Sequence, residues 1–305
     1  MASATVLSAT GGVYNVELED GTVTEASLRG RLKLEQRTGD RIVAGDAVRV
    51  QSQSDSTLTI ESVEPRTSEL ARRAPGHGRK AKVIVANIDR VVIVFAVREP
   101  EPNRRMLDRF LVLAEANRLG SLIVLNKVDQ ADDPVAPEFL APYEGAGYET
   151  LKTSAATGLG VAELRDHLCN ARSVITGPSG VGKSSLLNVV QPGLGLRIGE
   201  VSSAVNKGQH TTVSARLIPL ECGGHVADTP GLRELGLWGI APDELPDCFP
   251  EFADLIGTCR FARSCSHTHE PGCAVRTAVD EGLVDAGRFD SYLTLRQEAE
   301  DAPRY

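Results

Sequence analysis

Four groups of residues in this 305-residue chain have the types and spacing of chemical sites. Gly177-Pro178-Ser179-Gly180-Val181-Gly182-Lys183-Ser184 fits G-x-x-x-x-G-K-[ST], a glycine-rich turn whose backbone N–H groups can wrap phosphates. The helix expected to follow adds the positive end of its dipole. Lys183 would span the β- and γ-phosphates, the Ser184 hydroxyl would ligate Mg2+, and the binding residues run on to Ser185. Asn126-Lys127-Val128-Asp129 selects the base. The Asp129 carboxylate can accept both N1–H and the 2-amino group of guanine, a pair that adenine lacks, so the wrong purine leaves polar groups unmatched. Asn126 would hold the loop and N7, the aliphatic stem of Lys127 would cover one base face, and Ser154-Ala155 could offer a backbone N–H to guanine O6. Together these residues mark a GTPase.

The third group is Asp228-Thr229-Pro230-Gly231. Asp228 would bind Mg2+ through water and the Gly231 N–H would sense the γ-phosphate. Many GTPases place a Gln next to orient the attacking water, but here the residue is Leu232, which cannot hydrogen-bond. His210 is the candidate in its place, with Thr211 or Thr212 completing the Mg2+ shell. The fourth group is Cys259, Cys265, His267 and Cys273, spaced C-x5-C-x-H-x5-C. Three thiolates and an imidazole make a closed tetrahedral zinc site, structural because no position stays open for chemistry. Cys169, Cys222 and Cys248 read as core or surface cysteines. Six cysteines are too few for a disulfide framework, which favours a reducing cytoplasm.

These sites need elements to hold them. Residues 1–68 read as an all-β, OB-fold-like barrel of about five short strands, with Asp20-Gly21 as a hairpin turn. Residues 69–82 read as a basic linker around Pro75-Gly76-His77-Gly78. Residues 83–238 alternate apolar strands (Val91–Val97, Leu122–Leu125, Ser173–Thr176) with amphipathic helices, the pattern of an α/β domain with a mainly parallel sheet. Residues 239–305 read as a mainly helical, zinc-binding domain. The guanine motif precedes the phosphate loop, the reverse of the ordinary order, so the GTPase domain is circularly permuted. Permutation is tolerated because domain termini tend to be adjacent. The segment after Gly231 then runs straight into the C-terminal domain, so loss of the γ-phosphate could reposition it.

The formal net charge of −8 taken alone argues against a nucleic-acid partner, but it is unevenly spread. Residues 29–90 hold thirteen Lys/Arg against eight Asp/Glu, with a stripe of Arg66, Arg72, Arg73, Arg79, Lys80 and Lys82. Residues 236–305 hold six Arg against thirteen Asp/Glu. No apolar run approaches the roughly 18–20 residues of a membrane span, and the N-terminus lacks the basic start and apolar core of a signal peptide, so a cytoplasmic protein without a membrane partner is expected.

The chain resembles the RsgA (YjeQ) family, circularly permuted GTPases that assist small ribosomal subunit maturation. The resemblance rests on Arg66-Thr67-Ser68-Glu69-Leu70-Ala71-Arg72, Asn87-Ile88-Asp89, the nucleotide motifs, Lys207-Gly208-Gln209-His210-Thr211-Thr212 and Glu270-Pro271-Gly272-Cys273-Ala274-Val275. It implies GTP/GDP, Mg2+ and one structural Zn2+, the water-orienting role for His210, and the 30S subunit with its 16S rRNA as partner to a monomer. The family pattern has four residues between its first two cysteines where this chain has five, which leaves His269 or Cys248 as alternatives to Cys259. Three readings follow: a ribosome-stimulated GTPase whose barrel and basic stripe touch RNA, a nucleotide-gated binding switch with negligible stimulated turnover, and a P-loop small-molecule kinase. The guanine motif and the lack of an acceptor site argue against the third.

Overall fold

The computed structural model describes residues 1–30, 32, 41–52, 57–72, 82–131, 135–196, 215–228 and 240–301. His210, Thr211, Thr212, Gly231 and Leu232 lie outside the described residues, as do Arg73, Arg79 and Lys80. Arg72, Lys82 and Asp228 are described by their backbone alone. No helix among the described residues is long and apolar enough to cross a membrane.

Strands β1 (Ala2–Thr10), β2 (Val13–Leu18), β3 (Val23–Leu28), β4 (Ala47–Ser52) and β5 (Leu58–Val63) close a barrel in the order β1-β2-β3-β5-β4. Only the β3–β5 pair is parallel, and this order is that of an OB-fold rather than a simple meander. Alternation points Val6, Val16, Val48, Val50 and Ile60 inward, each at most 1% exposed.

The stretch expected as a basic linker begins and ends in strands. β6 (Glu69–Arg72) pairs antiparallel with β7 (Lys82–Ala86), and Ala44 bridges Val85. Short strands carrying arginines look like loop in sequence because their partner is non-local. Arg66 also leaves the expected basic stripe. Its guanidinium grips the fully buried Asp46 (Nε to Oδ1 2.7 Å, Nη2 to Oδ2 3.0 Å), so its charge is spent inside the protein. The next residues tie the barrel to the following domain: the Thr67 N–H donates to Asn87 Oδ1 at 2.9 Å and the Ser68 hydroxyl to the Ile88 carbonyl at 2.5 Å.

A six-stranded sheet follows in the order β10 (Glu149–Lys152), β9 (Gly120–Asn126), β8 (Arg90–Ala96), β11 (Arg172–Thr176), β13 (His225–Asp228), β12 (Arg216–Pro219). All neighbours are parallel except β12–β13. β8 is apolar on both faces because both are covered: Val91, Ile93 and Phe95 enter one core with α1 (Arg104–Ala116) and α2 (Val135–Gly145), while Val92, Val94 and Ala96 enter another with α3 (Val161–Leu168) and α4 (Lys183–Val190).

The cysteine expectation needs a correction. Cys169 and Cys222, taken from sequence as unpaired, form a disulfide with Cα atoms 5.2 Å apart, because the β12–β13 turn lands on the α3–β11 connection 53 residues away. Cys248 is buried in the C-terminal core, as expected. That region contains 3-10 turns at Pro246–Cys248, Pro250–Phe252 and Ala262–Ser264, then α5 (Ala274–Asp280) and α6 (Ala286–Asp301). It docks on α1 through Arg288, whose Nη1 lies 2.6 Å from Asp108 Oδ1 while its Nε lies 2.8 Å from Glu251 Oε1.

Candidate functional site

Strands β8 and β11 lie side by side at the centre of the sheet, with crossovers leaving in opposite directions, so a crevice opens at their C-terminal ends. The phosphate loop emerges there. Gly177 follows β11 with φ of 133°, and a Cβ on it would sit 1.9 Å from the Val94 carbonyl oxygen, so only glycine lets the loop start against β8. α4 begins at Lys183, which puts the buried Lys183 and Ser184 on its first turn. Lys183 Nζ donates to the carbonyls of Gly177 (2.8 Å) and Pro178 (2.6 Å), which folds the side chain back along the loop. This arrangement can bring backbone N–H groups, a helix N-terminus and an ammonium to one polyphosphate.

The guanine loop emerges from β9, two strands away. Asn126 joins the two loops: its Nδ2 donates to the Val181 carbonyl at 2.8 Å, and its Oδ1 accepts from Thr153 Oγ1 at 3.2 Å and the Ala155 N–H at 3.3 Å. One buried amide therefore sets the distance between phosphate and base positions. Lys127 stands in a left-handed conformation (φ 61°) and its ammonium donates to the Glu99 carbonyl, which stretches its stem across the crevice. The Ser154 hydroxyl donates to Asp129 Oδ1 at 2.5 Å and fixes one carboxylate oxygen. Asp228 stands at the end of β13, beside Ile175 of β11. The structure thus brings together Asn126, Lys127, Asp129, Ser154, Ala155 and the whole 177–184 loop.

Glu99 escapes motif reading because it contributes a backbone carbonyl. The signal that could have found it is topological: its loop follows β8, the strand beside the phosphate strand.

In the C-terminal region, the Sγ atoms of Cys259, Cys265 and Cys273 and an imidazole nitrogen of His267 lie within 4.8 Å of one another, all four residues being buried. Cys259 and Cys273 Sγ are 3.9 Å apart, and His267 Nδ1 lies 3.5 and 3.4 Å from them. Metal–sulfur bonds of about 2.3 Å and a metal–nitrogen bond of about 2.0 Å at tetrahedral angles place such donors about 3.8 and 3.5 Å apart, so the group fits a tetrahedral metal ion. Burial pushes the Cys265 thiol up to about 12, the Cys273 thiol up and the His267 imidazole down, so these charged forms are penalised, and a dication among the donors would reverse that penalty for the two thiolates. His269 points elsewhere, with Nδ1 2.7 Å from the Thr268 hydroxyl, and Cys248 bonds the Glu244 carbonyl.

The chain was compared with known proteins. The model of the family described as RsgA GTPase matches residues 63–238. The Small ribosomal subunit biogenesis GTPase RsgA of Gemmatimonas aurantiaca is 51% identical over 295 residues, 96% of each chain, and that of Moorella thermoacetica is 45% identical over 296 residues, again 96% of each. Among solved structures, YjeQ from Thermotoga maritima superposes with a TM-score of 0.83 at 35% identity over 99% of both chains. YloQ, described as a circularly permuted GTPase, gives 0.77 at 30% identity over 100% of this chain and 97% of that one.

Proposed function

This chain belongs to the RsgA GTPase family, and on that footing we propose that it hydrolyses GTP during biogenesis of the small ribosomal subunit. The observation that carries the reading is the Asn126 bridge, which ties a guanine-selecting loop to a phosphate loop in one crevice. We assign Asn126, Lys127, Asp129, Ser154 and Ala155 to the base. Gly177, Pro178, Ser179, Gly180, Val181, Gly182, Lys183, Ser184, Ser185 and Gly231 are assigned to the phosphates.

Hydrolysis of a phosphoanhydride asks the protein mainly to position groups and spread charge. Lys183 would exchange its loop carbonyls for β- and γ-phosphate oxygens, and the first-turn N–H groups of α4 would face the same oxygens. Ser184, Asp228 and Thr211 or Thr212 would hold Mg2+, which when bound would supply charge neutralisation on the phosphates. His210 would orient the attacking water, since Leu232 cannot. The Cys259, Cys265, His267 and Cys273 group is assigned to one structural Zn2+, on the fit of its donors.

The partner is assigned as the 30S subunit and its 16S rRNA, bound by a cytoplasmic monomer. An exposed loop supports an RNA contact: Arg260, Phe261 and Arg263 project between the first two cysteines of an otherwise acidic region, with the Arg260 guanidinium 5.9 Å from the Phe261 ring. Such an arginine–aromatic pair can stack on an unpaired base while neutralising phosphate. The organisation is proposed as a barrel (1–68), a permuted GTPase domain (83–238) and a metal-binding domain (239–305).

GTP turnover measured with and without purified small ribosomal subunits tests the reading. Stimulation by subunits, lost in His210→Ala with GTP affinity unchanged, is the expected result. Turnover that ignores subunits would leave only a binding switch, and intact turnover in His210→Ala would remove that residue's role.

A further inference from the structure

Of the six cysteines, four are buried in the C-terminal region and two stand apart. Cys169 caps the end of α3, and Cys222 sits in the turn between β12 and β13. Both are half-buried, within reach of a small thiol reagent. The fold holds their segments together without the sulfur–sulfur bond. The His225 N–H donates to the Ala171 carbonyl at 2.8 Å. A Cβ on Gly224 would lie 1.9 Å from the Leu168 carbonyl, so the turn is pressed onto the end of α3. Two thiols kept side by side by backbone packing can open and re-form their bond without a search.

The bond also has a mechanical position. β11 and β13 pair in parallel, with Arg172 beside His225 at one end and Ile175 beside Asp228 at the other. The disulfide rivets the first end. From the second end, β11 runs into the phosphate loop and β13 runs into Asp228-Thr229-Pro230-Gly231. The same hairpin meets the barrel at His225, whose Nε2 lies 2.5 Å from Glu17 Oε2, and the neighbouring β11 meets it at Arg172, which donates to the Thr5 hydroxyl at 3.1 Å. A hairpin that links the barrel to the γ-phosphate-sensing segment is where a covalent latch would have leverage.

We infer that Cys169 and Cys222 form a reversible redox site that latches the β12–β13 hairpin to the nucleotide sheet and slows subunit-stimulated GTP turnover. The oxidant is a low-molecular-weight disulfide, RSSR. One cysteine thiolate attacks a sulfur of RSSR, breaking its S–S bond and releasing RS−, which leaves a mixed disulfide on the protein. The second cysteine thiolate attacks the first Sγ and expels the other RS−. The two protein thiols lose two electrons and two protons in all, and RSSR leaves as two RSH. The inference rests on the GTPase reading for its readout but not for the bond.

The test uses the full-length, zinc-loaded protein in two states, fully reduced and equilibrated with oxidised glutathione. Non-reducing peptide mapping and maleimide counting report the bond, and zinc content is followed to show that the cluster is untouched. The expected result is a Cys169–Cys222 cross-link that leaves GTP affinity unchanged, lowers subunit-stimulated turnover at least threefold, and is reversed by reductant. Cys222→Ser should show the reduced protein's turnover in both states. Free thiols at both positions in oxidised glutathione would overturn the inference. So would equal turnover in the two states, or the same loss in Cys222→Ser. Absence of turnover in the reduced protein would overturn the GTPase reading instead, while peptide mapping would still decide the bond.

Discussion

The nucleotide crevice and the metal cluster solve the same problem, holding polar side chains in place, by opposite means. In the crevice the backbone does the holding. Five parallel-connected strands and their two covered faces fix where β9 and β11 end, and the binding side chains then hang from those ends. Lys127 and Lys183 bond to loop carbonyls that the strand ladder does not use, so these side chains can change partners without disturbing the fold, while Asn126 holds the two loops together. In the C-terminal region secondary structure is sparse before α5, and the side chains themselves are the scaffold. The aromatic rings of Phe249, Phe252 and Tyr292 pack beside the Cys/His donors, the Tyr292 hydroxyl donates to the Ser266 carbonyl at 2.6 Å, and Arg288 pairs with Glu251 of its own region and with Asp108 of α1 across the joint. A site hung on a large sheet can keep mobile groups, whereas a site whose donors are themselves part of a small core cannot.

The contrast breaks most sharply at the Cys/His cluster. Chelation, or Cys265→Ser, is expected to unfold residues 240–301, since a structural zinc site supplies about 10–16 kcal/mol of binding free energy that is also folding free energy. GTP binding by the sheet domain should survive. Metal analysis and circular dichroism, read beside nucleotide affinity, check this, and a folded C-terminal region in metal-free protein would refute it.

The next largest effect is expected at the joint. Arg288→Met leaves Asp108 and Glu251 without their cation in a site where Arg288 is 2% exposed. Breaking a buried pair in this way costs about 3–5 kcal/mol. Equilibrium urea unfolding measures it. Burial already pushes the Asp108 carboxyl up despite the nearby Arg288, which is the direction of a group that needs its partner.

In the crevice, by contrast, Asp129→Asn should leave stability unchanged and act on the ligand alone. On the proposed assignment it replaces a charged acceptor that would meet two guanine N–H donors, a loss of about 1.5–3 kcal/mol, or roughly 10–100-fold in GTP affinity. Competition between GTP and ATP would show it, and equal discrimination by wild type and variant would remove Asp129 from the base site.

The smallest effect separates the two regions by pH. Burial alone would raise the Glu270 carboxyl, but hydrogen bonds from Ser266 and His269 outweigh it and hold the pKa at about 2. A carboxylate depressed below its unfolded value of about 4.5 stabilises the fold above that pH and loses its contribution as pH falls towards 2. Glu270→Gln should therefore cost on the order of 1 kcal/mol near neutral pH, after solvent screening, and nothing near pH 2. Stability curves of the two proteins that stay parallel across this range would contradict it.

The geometry of the motif loops was legible in the sequence because it is local. A phosphate loop is one contiguous run whose glycines and lysine work through their own backbone geometry, and Asn126-Lys127-Val128-Asp129 is equally compact. The five-strand barrel and the alternation of strands and helices were legible too, because burial on one or two faces writes a period into the residues. Pairing partners were not. Glu69–Arg72 read as linker until its partner at Lys82–Ala86 was in view, and Arg66 read as a surface cation until Asp46 stood against it.

By itself, then, the sequence determined the kinds of group available: a carboxylate and a lysine in compact glycine-rich and Asn-Lys-x-Asp runs, and three thiols and an imidazole close together in the chain. Tertiary structure alone decided which of them meet, that Asn126 spans from one loop to the other, that Cys259 rather than His269 joins the cluster, and that Cys169 reaches Cys222. Residues a few positions apart share a turn whose geometry their types report. Residues 50 or more positions apart meet only through the packing of whole elements, and no local spacing encodes that.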